Sequence, residues 1–137
     1  MGSAQLLRAT VAVLALATAS AVTATSDCPS VIDTDQTLKQ SHQGWMASQE
    51  ETRSPLSSIR LSEGDPRDLA WLLPDRTSKG GVQEWDLLPS PRGYWVVCGY
   101  ANTTVILSRR LDPTVRRCAV QLDKRFNPPL ASHYRCQ

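Results

Sequence analysis

The sequence predicts an α+β fold: a small antiparallel β-meander sheet with one short helix, bridged by two disulfides. Four runs rich in β-branched and aromatic residues follow one another at short intervals in its second half. One stretch, Asp65 to Leu73, carries both start and stop signals for a helix. Four cysteines (Cys28, Cys98, Cys118 and Cys136) follow an export leader, and an even count in that setting reads as two bridges. The 137 residues leave room for one small domain. Fifteen Lys and Arg against thirteen Asp and Glu give a formal charge of +2, which excludes the strongly basic profile of a nucleic-acid binder.

The leader comes first. Arg8 and the amino terminus precede an apolar run from Ala9 to Ala19, and small residues follow at Ala21 and Ala24. This is the layout of a signal peptide over residues 1–24, cut after Ala21 or Ala24. The run falls short of the roughly 20 apolar residues a membrane span needs, so no transmembrane segment is expected after cleavage. Thr25, Ser26 and Asp27 lack the small-residue context of a lipid-modified cysteine, so residues 25–137 are expected to be a single soluble exported domain.

Within that domain, Pro29 holds Cys28 extended, and Val31 and Ile32 suit a strand. Residues 34–53 are polar and interrupted by Gly44, a loop with at most one helical turn. Ile59 and Leu61 alternate in a strand over 56–62. In the predicted helix, Asp65 caps, Pro66 takes the first helical position, Asp68 meets the helix dipole and Pro74 ends the run. Leu69, Leu72 and Leu73 would form its apolar face. Lys79-Gly80-Gly81 is a turn, and the meander strands follow at 82–88, 94–100, 103–109 and 117–122. In the tail, Cys136 staples an end that would otherwise fray.

The meander register bears on the bridges. A turn at Ala101-Asn102 places Cys98 opposite Val105, which in turn faces Gln121. Side chains alternate with period two, so Cys118 would then point away from Cys98. This favours Cys28–Cys98 with Cys118–Cys136 over Cys28–Cys136 with Cys98–Cys118, and a one-residue slip reverses the preference.

No nucleophile elbow, zinc-binding helix, phosphate loop or dinucleotide fingerprint occurs, so no catalytic residue and no cofactor are assigned. Cysteine spacings of 70, 20 and 18, with His42 and His133 as the only histidines, give no metal site. Charge distribution says more. Residues 26–86 hold six Lys/Arg against eleven Asp/Glu, whereas residues 87–137 hold eight against two. Arg109, Arg110, Arg116 and Arg117 flank one expected hairpin, where Arg109 would face Arg117 and Arg110 would face Arg116. Opposed like charges cost about 0.2–1 kcal/mol per pair, which an anionic partner would relieve. Trp71, Trp85 and Trp95 suit core packing, while Trp45, after Gly44 in a polar loop, is a candidate interface anchor.

Cys28-Pro29, Gly44-Trp45, Gly64-Asp65-Pro66, Trp85, the run from Trp95 to Tyr100, Leu107-Ser108-Arg109 and Arg117-Cys118 together carry a resemblance. The set resembles a family of small exported proteins of Gram-negative bacteria named after a Salmonella Typhi locus. The resemblance implies a periplasmic, disulfide-containing domain with no assigned activity, and a role as a binding or immunity partner near secretion systems. The expected function is non-catalytic binding of an envelope or secreted protein. Alternatives are an anionic lipid or glycan headgroup module built on the arginines, and a minor envelope hydrolase using paired carboxylates between Asp65 and Asp86.

Overall fold

The computed structural model describes residues 27–137. The leader expected over residues 1–24 lies outside them. Nine strands form two antiparallel sheets: β1 (Val31–Asp33), β2 (Arg53–Glu63), β3 (Trp71–Leu72), β4 (Arg76–Thr77), β5 (Val82–Asp86), β6 (Tyr94–Tyr100), β7 (Ile106–Arg110), β8 (Arg117–Asp123) and β9 (Leu130–Cys136). The first sheet runs β1-β2-β6-β7, with β3 also pairing β2, and the second runs β4-β5-β8-β9. Strand β9 lies against β2, and the inner faces of both sheets share one core. Leu61, Val96, Cys118 and Val120 are fully buried in it.

The α+β expectation is corrected to a nearly all-β fold. Among the described residues there is no α-helix; the helix expected at 65–73 is a single 3-10 turn over Pro66–Asp68. Its start signals do act locally, since the Arg67 backbone N–H donates to Asp65 Oδ1 at 2.9 Å. Two turns of helix do not hold themselves together. The chain instead reverses at Leu69, which takes a left-handed φ of 56°, and Trp71–Leu72 pairs with Leu61–Ser62. Pairing turns Leu72 into the core and leaves Leu69 and Leu73 exposed, so the three leucines never share a face.

The meander is corrected as well. The expected strands recur at nearly the expected positions, but β5 pairs with β8 and β6 pairs with β2 and β7. The links Leu87–Gly93 and Leu111–Arg116 carry the chain between sheets rather than closing hairpins. Strand β9 occupies the tail expected only to be stapled. A bulge between Gln121 and Leu122 breaks the period of two, so its buried Ala131 and Tyr134 stand three apart.

The disulfides are Cys28–Cys98 and Cys118–Cys136. Cys98 stands opposite Leu107 rather than Val105, and Cys118 lies in the other sheet, so the meander register had no bearing on this pairing. Cys118 and Cys136 oppose each other directly on β8 and β9, and Trp85 on β5 faces Cys118 from the other side. Trp85 is buried and donates its indole N–H to the Leu72 carbonyl at 3.1 Å, which ties β3 to the second sheet.

Candidate functional site

The four arginines expected around one hairpin are distributed over both sheets, because β7 and β8 do not pair. Arg109 opposes Val96 and Arg110 opposes Trp95, whereas Arg117 opposes Asp86. The expected facing of Arg109 with Arg117 and Arg110 with Arg116 is therefore absent. Arg117 Nε donates to Asp86 Oδ1 at 3.1 Å, and Arg76 Nη1 donates to Asp86 Oδ2 at 2.7 Å. Asp86 sits between two guanidiniums, and Arg76, then Arg117, hold its carboxyl below the usual range. Arg116 donates to the carbonyls of Pro113 and Val115.

Arg110 and Arg116 do line one crevice, together with Tyr94 and Asp112. Its volume of about 40 Å³ is close to that of a single water and far below a lipid or sugar headgroup. Arg109 and Arg110 meet no carboxylate among the described residues. Neighbours on a strand point to opposite faces, so Arg109 lies on the inner side and Arg110 on the outer side of β7. Arg110 also reaches back over Gly93, where a Cβ would sit 3.1 Å from its guanidinium nitrogens.

The outer face of the first sheet carries residues that the sequence reading assigned to the core. Arg60 on β2 lies over the Trp71 ring, 4.2 Å from its centroid, a cation–π contact. Trp71 and Trp95 are partly buried. Gly99 makes room for this layer: a Cβ there would stand 2.3 Å from Ser58 Oγ. Beside it, every residue of β7 is exposed, including Ile106 and Leu107. A composition signal existed, since Trp and Arg are enriched at binding interfaces. The outward phase of Trp71 followed only from the β2–β3 pairing.

Trp45 stands on a separate feature. The loop from Thr34 to Thr52 closes on itself through the Thr34 N–H to the Thr52 carbonyl (2.9 Å) and a Gln36–Gln49 clasp (2.8 Å). Gln36 also donates to the Asn102 carbonyl at the β6–β7 connection, 2.8 Å away. Ends that meet give this segment the outline of an Ω-loop, longer than the roughly 6–16 residues usual for one and open at its tip. Its tip exposes Leu38, Trp45 (84%) and Met46 (94%) around a hollow of about 1130 Å³.

The carboxylates between Asp65 and Asp86 are engaged by donors. Arg67 holds Asp65 down to about 2, and Asp86 is likewise lowered, the opposite of what a general acid at neutral pH requires. Asp75 accepts from the Asp86 N–H, Asp68 from Arg92 and Glu84 from Arg76. Among the described residues no three His, Cys, Asp or Glu side chains gather as a metal site would need, and no helix is long and apolar enough to cross a membrane. His42 sits on the Ω-loop and His133 on β9 beside Ser132.

No curated protein and no solved structure matches the chain. The model of one small bacterial family does match, over residues 48–137, more than half of the chain. That stretch begins after the tip of the Ω-loop and takes in every strand from β2 to β9, which is all of the second sheet and all of the first but β1. Exposed arginines on β7 beside the partly buried Arg60, Trp71 and Trp95 make a surface of the kind that binds another protein, and the matched family is one of immunity proteins: the chain belongs to the type VI secretion system Tli immunity protein family.

Proposed function

We propose that the chain, once freed of residues 1–24, acts in the periplasm as the neutralising partner of a type VI effector. Membership of an immunity family carries this reading: such a protein is a non-catalytic, inhibitor-like partner of a secreted effector. Two paired disulfides support an oxidising compartment, and the export leader read from the sequence supports the periplasm. Carboxylates held ionised by arginines and a crevice of only about 40 Å³ favour this reading over the hydrolase and headgroup readings.

Contact is proposed at the first sheet, through β7 and the Arg60–Trp71–Trp95 face, with Trp45 on the Ω-loop as a second anchor. The matched region begins at residue 48 and so takes in only the returning arm of that loop. Producing the effector in the periplasm of a sensitive strain, with or without this protein, tests the function. Survival only with the full-length chain, and killing when residues 2–24 are deleted, is expected. Killing in both cases, or equal protection by the leaderless form, overturns it.

A further inference from the structure

We propose that the effector docks by adding an extended, acidic segment of its own to the free edge of β7. This rests on the effector-binding reading above and names the surface and the chemistry. The remaining edges differ from β7. Strands β1, β3 and β4 span three, two and two residues, and β9 lies against β2. Short or covered edges resist pairing with another chain. Strand β7 has five residues, pairs among the described residues with β6 alone and is exposed throughout.

The ladder shows which groups are free. Leu111 N–H donates to the Tyr94 carbonyl at 2.9 Å, and the β6–β7 register continues from that pair without a shift. Hydrogen-bonded pairs alternate in an antiparallel ladder, so Leu107 and Arg109 also point their backbone groups at β6. Ile106, Ser108 and Arg110 therefore direct theirs outward. An added strand would take up these groups, with main-chain bonds supplying affinity and side chains supplying specificity.

The side chains define the partner. Ile106 and Leu107 present apolar surface at one end of β7, and Arg109 and Arg110 present charge at the other, one on each face. Neither arginine meets a carboxylate among the described residues. A complementary segment has apolar residues opposite Ile106–Leu107 and neighbouring acidic residues opposite Arg109–Arg110, where guanidinium–carboxylate forks form.

The test uses the full chain and the purified effector that it neutralises. Hydrogen exchange at residue resolution should slow at least tenfold at Ile106, Ser108 and Arg110 in the complex, while Leu107 and Arg109 change little. Ser108→Pro removes an outward N–H without touching the β6 ladder, and edge strands tolerate proline in that position. It should keep the fold and bind at least tenfold more weakly, with Ser108→Ala binding like the wild type. Unchanged exchange at the three amides in a complex that forms, or full-strength binding by Ser108→Pro, overturns the edge assignment alone. Absence of any wild-type complex overturns the effector reading and the assignment together. Protection that rises with protein concentration and needs no effector assigns the edge to a second copy and overturns the proposal.

Discussion

The two sheets treat their arginines differently. On the second, Arg76 and Arg117 share Asp86, Arg76 also reaches Glu84, and Arg125 is forked onto Asp123. On the first, Arg109 and Arg110 stand on an exposed edge with no carboxylate, and Arg60 is spread over Trp71. The second sheet pairs its arginines with carboxylates except Arg135, exposed on β9 and without a carboxylate partner among the described residues; the first leaves the charge on β7 for something else to meet. Counting charges along the chain locates the basic half without distinguishing these cases, because pairing is a property of strand order.

If the second sheet is scaffold, breaking its core should cost most. Trp85→Ala deletes a buried indole packed beside the Cys118–Cys136 bridge and should lower stability by about 3–5 kcal/mol in denaturant unfolding. In the core of the first sheet, replacing Cys28 and Cys98 together by Ala removes the tie between the segment before β1 and the centre of β6, at about 2–4 kcal/mol by the same measurement. Neither variant touches the unpaired arginines, so binding should fall only as far as the folded fraction does.

The exposed loop should behave in the opposite way. Trp45→Ala, at a side chain 84% exposed, should change stability by less than about 0.5 kcal/mol and weaken effector binding severalfold in a calorimetric titration. Loss of stability without loss of binding would remove the Ω-loop from the interface.

Acid gives the smallest and sharpest contrast. The carboxyls of Asp65 and Asp123 are lowered to about 2 by Arg67 and Arg125, and that of Asp86 is lowered by Arg76 and Arg117. A depressed carboxylate contributes stability that is present above its unfolded value, near 4, and is lost as pH falls toward its folded one. Thermal melts should therefore be flat in these groups from pH 7 to about 5 and decline slightly between about 4 and 2. All three keep part of the side chain in solvent (37%, 46% and 21% for Asp65, Asp86 and Asp123), so the decline is shallow, and Asp86→Asn should flatten part of it.

Much of the fold was legible where local chemistry decides it. The run Tyr94–Tyr100 reads as a central strand because its residues are apolar on both faces, and it is one, flanked by β2 and β7. Asp65 and Pro66 do start a helical turn, but whether the chain continued depended on Leu61 and Trp85 waiting in other strands. Strand β9 was hidden by its bulge, and the link after Asp86 gave no sign that it crosses to the other sheet. At the candidate site, Trp45 was singled out by its polar surroundings, which a loop preserves. Arg60 and Trp71 were missed because they meet through a pairing of only two residues.

The most direct test of the contrast between the sheets is a calorimetric titration of the effector into three chains at two salt concentrations. The account predicts that Arg109→Glu with Arg110→Glu weakens binding at least tenfold, most at low salt, while Arg117→Glu binds like the wild type. Equal loss in both variants, or loss confined to Arg117→Glu, would contradict it.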